Sequence, residues 1–556
     1  MGAHHHNQPI QDNPNFVFDT KLKIFTIALI LIGAASLALT YYTGSEYSHI
    51  RFWTNLLQNS VFFTGIAFAS LFFIATHTVA WGGWQTIFKR IPEAMMMFLP
   101  VGILLLGLIA LAISMDATGT DFLYLWSDEN ALKNDALVIH KSAFLNPFNY
   151  ILTLVVIGIW ALFAFAIRRL STQQDENRAL RKVNYEKIHM WSAIFLPIAG
   201  FSSAYAIWQW VMSVDPHWYS TLFAWYATVS VWVSAICLMY LLILFLQTRG
   251  HLQYFTKEHT HDLGKYVFGF SVFWTYLWFS QFMLIWYANN GEETQYFFLR
   301  FEQFRPVFFL NLIINFAIPF LSLMMNSAKR AKGTLGFMAG LVIFGHWLDY
   351  YQMIKPGVWY NWEHAQHAKH EHGHDQKHEG DHKHEGEHKE DHKHDDEHKG
   401  DDKKDNHKSD HKDHSESYKL KSNDIAKPVL TDFQDTKDTH KNNHTNVSPD
   451  SSSVKTDSTH HSHDSTTHAH DHSAVHTDGH DHGKDTHAHD EHAHHDHGPA
   501  FLMGIHFPGL YELGTMIGFL GLFLFVTFTF LSKASLMPKN DPYVDESKNH
   551  HVWYDL

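Results

Sequence analysis

Leu222-Phe-Ala-Trp-Tyr-Ala-Thr-Val-Ser-Val-Trp-Val-Ser-Ala-Ile-Cys-Leu-Met-Tyr-Leu-Leu-Ile-Leu-Phe245 is a run of 24 residues without one charged side chain. Coiled as an α-helix it is about 36 Å long, enough to cross a hydrocarbon core of ~30 Å. A helix also satisfies its own backbone N–H and C=O groups, which lipid cannot do. Nine further runs read the same way: Ile24–Tyr41, Leu56–Val79, Ala94–Ile113, Tyr150–Ile167, Trp191–Val214, Val267–Trp286, Val307–Met325, Leu335–Tyr351 and Leu510–Leu531. Trp and Tyr gather near their ends, as they do at membrane interfaces. The expected fold is an all-α, polytopic membrane protein of about ten transmembrane helices.

The same run holds Cys237, the one cysteine in 556 residues. A single thiol excludes iron–sulfur clusters, covalently attached c-type haem and internal disulfides. Electrons, if handled, must pass through a bound quinone, a non-covalent haem or partner subunits.

The net charge of -14 is local. His364–Pro499 and its immediate flanks hold 32 Asp/Glu and 17 Lys, so the rest of the chain carries about +1. This insert repeats blocks such as His382-Lys-His384-Glu-Gly-Glu-His388 and His487-Ala-His489-Asp-Glu-His492-Ala-His494-His495, without a fixed period. With almost nothing apolar to bury, it is expected to be disordered. Its imidazoles suit weak Zn²⁺ binding, but no spacing fixes a four-ligand site. The division expected is a polar tail over 1–20 carrying His4, His5 and His6, a nine-helix membrane domain over 21–361, the insert over 362–499, a tenth helix over 500–532 and a tail over 533–556. No cleavable signal peptide is read in the first twenty residues.

Basic residues sort by side. With the N-terminus inside, the inner connections hold Lys89 and Arg90, the cluster Arg168 to Lys187, Arg249 to Lys265, and Lys329 to Lys332, joined by Lys533, Lys539 and Lys548 of the tail. The outer short connections hold Arg51, Lys133, Lys141, Arg300 and Arg305. The positive-inside rule then places both termini in the cytoplasm and the His-rich insert in the periplasm of a bacterial inner membrane.

Ionisable and amide groups inside spans are costly and mark function. His77 and His189 lie toward the inner side, Gln209 and Gln281 within spans, and Asn311 with Asn315 one helical turn apart. At the outer boundary stand Asp215 and His217, Asn289 to Glu293, and His346 with Asp349. Carboxylate–imidazole pairs beside aromatic rings suit a quinol, whose hydroxyl needs a proton acceptor and whose ring needs apolar walls. The candidate quinone and proton residues are Asp215, His217, Gln281, His346, Asp349, His77 and His189, with Asp215, His217, His346 and Asp349 expected to share one outer site. No catalytic residue and no specific metal ligand is assigned. A zinc transporter with a His-rich loop, or a membrane anchor for b-type haem through His77 and His189, are the rival readings.

Several strings together carry a resemblance. They are Arg51-Phe-Trp-Thr-Asn-Leu-Leu-Gln-Asn59, Trp81-Gly-Gly-Trp84 with Lys89-Arg-Ile-Pro-Glu-Ala-Met95, Arg168-Arg-Leu-Ser171, Trp210-Val-Met-Ser-Val-Asp-Pro-His-Trp218, and Phe273-Trp-Thr-Tyr-Leu-Trp-Phe-Ser-Gln281 running into Trp286-Tyr-Ala-Asn289. The chain resembles the NrfD/PsrC-like membrane subunits of alternative complex III, a quinol:cytochrome c oxidoreductase, and is most similar to the second such subunit, ActF. The resemblance covers about Lys21 to Tyr351 and the last span. It implies two four-helix bundles plus two flanking helices. It also implies partners (a multihaem cytochrome c, an iron–sulfur subunit and a second NrfD-like subunit), menaquinol oxidation at the outer side by a related subunit, proton conduction through the bundles, and no haem or cluster on this chain.

Overall fold

A computed structural model describes residues 13–43, 46–381 and 502–551, with only the backbone given at 46, 130 and 366–381. Ten long helices organise them: α1 (Thr20–Tyr42), α2 (Glu46–Val79), α3 (Arg90–Ser114), α4 (Pro147–Glu176), α5 (Arg181–Trp210), α6 (Thr221–Thr248), α7 (Lys257–Ala288), α8 (Arg305–Leu323), α9 (Lys332–Asp381) and α10 (Leu510–Leu531). Among the described residues there is no β-strand beyond one isolated bridge, Met503 to Phe507. The protein is an all-α membrane protein. Nine of the helices are long and apolar enough to cross a bilayer. The exception is α9, where His346, Asp349, Tyr350 and Tyr351 dilute the apolar run read at Leu335–Tyr351. This helix also continues to Asp381, beyond the boundary expected at residue 361. The remainder of the expected His-rich insert, like His4 to His6, lies outside the described residues.

Two rings of four helices result. In one, α2, α3, α4 and α5 pack in sequence and α5 returns to α2; in the other, α6, α7, α8 and α9 do the same. The rings meet where α2 touches α6 and α9 and α5 touches α6. Both central helices show this in their composition. The hydrophobic windows of α2 and α6 are each 83% buried, against 17% for the flanking α1. The α1 helix lies along α10, and at Gly33 and Gly518 the two backbones touch, leaving no room for a Cβ on either.

Helix direction alternates, so the molecule has two polar faces. On the face where α1 begins, the C-terminal tail crosses the other connections: Leu536 N–H donates to Pro14 O at 2.7 Å, and Lys89 pairs with Asp541 at 2.9 Å. The basic connections read as inner all end on this N-terminal face. The opposite face carries residues 115–146, 211–220, 289–304 and 502–509.

Candidate functional site

The most polar point in the second ring is Asp349, one-third of the way along α9. It is fully buried. The Tyr226 hydroxyl from α6 donates to Oδ1, as does Asn311 Nδ2 from α8 at 2.8 Å, and Trp274 Nε1 from α7 donates to Oδ2 at 2.9 Å. All four helices of the ring thus reach one carboxylate. Removing a carboxylate from water costs several kcal/mol, and three donors to a charged acceptor at ~1.5–3 kcal/mol each offset that cost. Tyr226 is five residues into α6, which sets the site only about 7 Å below the opposite face.

His346 stands one turn earlier on the same face of α9, as its spacing from Asp349 predicts. It is fully buried, shares a 3.0 Å hydrogen bond with Ser230 through Nδ1, and lies edge-on to Trp274 at 5.5 Å. Its Nε2 has no hydrogen-bond partner among the described residues. Asn315 donates to Asn311 Oδ1 at 2.5 Å, and Asn311 also reaches Gln352 at 3.3 Å. Asn315 sits in a π-helical turn, Ile313–Ala317, an irregularity common at functional sites. Gly345 lets α9 approach this turn, because a Cβ there would strike Asn315 and Ile314.

Asp215 and His217 do not join this cluster, contrary to the single outer site expected. Shared depth does not fix which way a side chain faces, and both residues belong to the loop after α5. His217 Nε2 lies 2.6 Å from Asp135, and Lys141 donates to the Pro216 carbonyl. Burial raises the Asp215 carboxyl, a rise that Arg300, His217 and Lys141 only partly oppose. Burial also acts upward on Asp135, but the hydrogen bond and charge of His217, with the Val138 and Leu137 N–H groups, outweigh it and hold that carboxyl low.

Between the two clusters lies a stack that the sequence did not announce. Trp218, the last residue of the Asp-Pro-His-Trp string, stacks on Tyr296 at 3.8 Å and 13°. The Arg300 guanidinium covers the Tyr296 ring at 3.3 Å. Arg300 is buried and donates to three carbonyls: Gln352 at 3.2 Å, Met353 at 3.3 Å and Tyr296 at 2.8 Å. The first is explained by Pro356, whose missing N–H would otherwise leave the Gln352 carbonyl without its helical donor. Tyr296 and Arg300 interact electrostatically with Asp215 on one side, and with Asp349 or its partner Tyr226 on the other. A small polar cleft opens there, lined by Asp215, His217, Trp218, Glu292, Gln295 and Tyr296. Beside it an apolar cleft shares Asp215 and Trp218 and adds Trp208, Met212 and Tyr219.

A second buried ionic group stands at the same face. Glu512 of α10 accepts from Arg51 through both oxygens at 2.6 Å, from Asn55 at 3.0 Å and from the Gly509 N–H at 3.0 Å. Lys355 is fully buried, 3.9 Å from Glu512 and 2.6 Å from Asn55 Oδ1. Glu512 was readable as an ionisable residue three positions into a span; Lys355 lies just past the expected end of one.

The other predicted residues scatter. His77 hydrogen-bonds the Phe73 carbonyl through Nδ1 at 2.9 Å and the Tyr266 hydroxyl through Nε2 at 3.0 Å, a satisfied contact between α2 and α7. The His189 ring lies 4.6 Å from that of Trp81, tilted by 32°, at the edge of the N-terminal face. His77 and His189 are therefore not a facing pair. Gln281 is buried on the face of α7 that carries Trp274, and its Nε2 lacks a partner among the described residues. Gln209 donates to the Phe144 carbonyl at 2.9 Å. No group of three or more metal-ligating side chains occurs among the described residues. No family model matches the chain, and no curated protein matches it.

Proposed function

We propose that this chain is a quinone-interacting, proton-transferring membrane subunit of a respiratory quinol:electron-acceptor oxidoreductase of the NrfD/PsrC-like kind, as in alternative complex III. The observation that supports this most is Asp349: a fully buried carboxylate held by one donor from each neighbouring helix, one turn from a buried imidazole with a free nitrogen. A group so expensive to place in lipid points to proton handling. The Asp215–His217 cleft, walled by Trp218 and Tyr296 and continuous with apolar surface, fits a quinol headgroup with its tail toward lipid. A bound quinol supplies two electrons and two protons. Asp215, raised by burial, is suited to accept a proton there, and Tyr296 and Arg300 orient the ring face. Electrons leave through haem and iron–sulfur subunits that dock on the opposite face.

In this reading the N-terminal face, with its excess of Lys and Arg, is cytoplasmic, and the opposite face with the His-rich insert is periplasmic, in a bacterial inner membrane. The test is gentle-detergent purification of the chain from its own membranes, with a redox difference spectrum and mass spectrometry of what accompanies it. Multihaem cytochrome c and iron–sulfur proteins in fixed ratio are expected. A lone, colourless protein carrying stoichiometric zinc overturns the proposal.

A further inference from the structure

The C-terminal tail is more than a trailing segment. Leu536, Pro538, Asp541, Val544 and Ser547 are buried, while Lys539, Asp545, Glu546 and Asn549 are exposed. Its first half is anchored deeply. The Lys89–Asp541 pair is 2% exposed on both sides, Asp175 Oδ1 accepts from the Lys539 N–H at 2.8 Å, and Arg181 donates to the Pro542 carbonyl at 3.1 Å. The second half combines ring and polar contacts: Tyr543 lies 5.5 Å from Tyr185 and Lys548 lies 5.2 Å over the Tyr254 ring. Ser547 donates to the Trp84 carbonyl at 2.6 Å and accepts from the Ile87 N–H at 3.1 Å. His550 meets Asp262 of α7 at 2.6 Å, an oxygen pair that Lys265 also engages at 2.5 Å.

What the second half covers is telling. His259, at the start of α7, is fully buried 5.0 Å from the His550 ring. Its Nδ1 accepts from the Thr256 N–H at 3.2 Å, so its Nε2 carries the proton. That N–H lies near the Trp84 and Ser547 carbonyls but is in hydrogen-bond geometry with no described residue. A buried, unmade hydrogen bond penalises the closed arrangement, and water would satisfy it on opening. A surface segment that covers an unsatisfied group is a place where local opening regains a hydrogen bond. The rings of His259, His550, Trp84 and His77 form a series at 5.0, 6.3 and 5.5 Å, and the last of them lies in the seam between α2 and α7.

We propose that residues 543–551 are a latch over the N-terminal face, that the His550–Asp262 contact is its catch, and that its release admits water to His259 and the seam beyond. This stands apart from the quinol reading, since it concerns solvent access alone.

The test labels the purified full-length protein with diethyl pyrocarbonate and follows His259 by peptide mass spectrometry. His550→Ala and Asp262→Asn should each speed His259 modification by about tenfold or more, the loss of one charge-assisted hydrogen bond. Cys237, buried in α6, should stay inert to maleimide in all three proteins, reporting an intact fold. Hydrogen exchange on the unaltered chain is the second measurement. Amides of 543–550 and of Ile87 should exchange together and well ahead of α6. Equal His259 labelling in the three proteins overturns the latch, as does unrelated exchange at Ile87 and 543–550. Should a variant expose Cys237, the exchange result decides.

Discussion

Glu512→Gln is the most discriminating perturbation of the fold. Glu512 and Lys355 are 1% and 0% exposed, and Arg51 is 18% exposed. The carboxylate balances two cations. Its amide replacement keeps the shape but strands Lys355, whose remaining contacts are Asn55 at 2.6 Å, the Gly504 carbonyl at 3.5 Å and the Tyr351 ring face at 5.5 Å, none of them anionic. Breaking a buried pair from one side costs about 3–5 kcal/mol, mostly the uncompensated charge. At roughly 2–4 °C per kcal/mol for a mid-sized domain, and less for a larger one, the melting point should fall by roughly 5–10 °C. Cys237 makes the assay direct: it is the one cysteine, fully buried, and a thiol-reactive fluorophore in detergent reports its exposure on heating. The decisive arm is Lys355→Met added to Glu512→Gln. Met needs no partner, and Arg51 can turn toward solvent, so the double variant should recover to within about 2 kcal/mol of the parent. A double variant no more stable than Glu512→Gln alone refutes the charge argument, as does a single-variant shift under about 1 °C.

Asp349→Asn in an intact complex should keep assembly but lower quinol turnover by at least about tenfold, since an amide cannot take a proton; unchanged turnover, even with His346→Ala added, removes the proposed site. Arg300→Lys should destabilise by about 1–3 kcal/mol, because an ammonium cannot bridge the Gln352 and Met353 carbonyls while lying flat on Tyr296; thermal exposure of Cys237 measures it. Gly518→Leu should abolish the α1–α10 contact, read as loss of full-length protein from membranes, while Gly158→Leu, with open space around its backbone, should not. Asp135 tests pH. Its folded carboxyl is held below its ordinary value, so the stabilisation is present above the ordinary carboxyl range and is lost as pH falls through the lowered folded value. The exchange protection of 135–141, taken relative to the unfolded rate at each pH, should therefore stay flat from pH 7 to about 4 and fall only below that, whereas Asp135→Asn should be poorly protected throughout.

The spans were legible because hydropathy over twenty residues is a one-dimensional property. So was the sorting of basic residues, which the structure gathers on one face. Pairs on a single helix were legible too: His346 with Asp349, and Asn311 with Asn315. What the sequence could not supply was the partner across space. Tyr226 lies 123 positions from Asp349 and Trp274 lies 75 away. Both read as ordinary interfacial or lipid-facing aromatics until the helices are brought together. The grouping of Asp215 and His217 with His346 failed for a related reason. Depth in the membrane is set by position along a helix, whereas neighbourhood also depends on rotation about it, and Tyr296 with Arg300 fills the space between. The tail over 533–556 read as unremarkable because the buried residues of its described part recur irregularly, matched to a surface made by three other connections and the N-terminal segment.

The close seating of Gly33 on Gly518 has a consequence for how the chain is made. Alone in the bilayer, α1 offers lipid an almost uninterrupted apolar surface, and its partner emerges on the order of 500 residues later. At roughly 5–20 residues per second the ribosome needs about 25–100 s to cover that distance. For that interval the first helix stands unpaired beside a half-built bundle, and the groove that α10 will fill stays open. Seating of α10 on α1 therefore closes the bundle late in synthesis, and chain made without α10 leaves the Gly33 face bare to lipid.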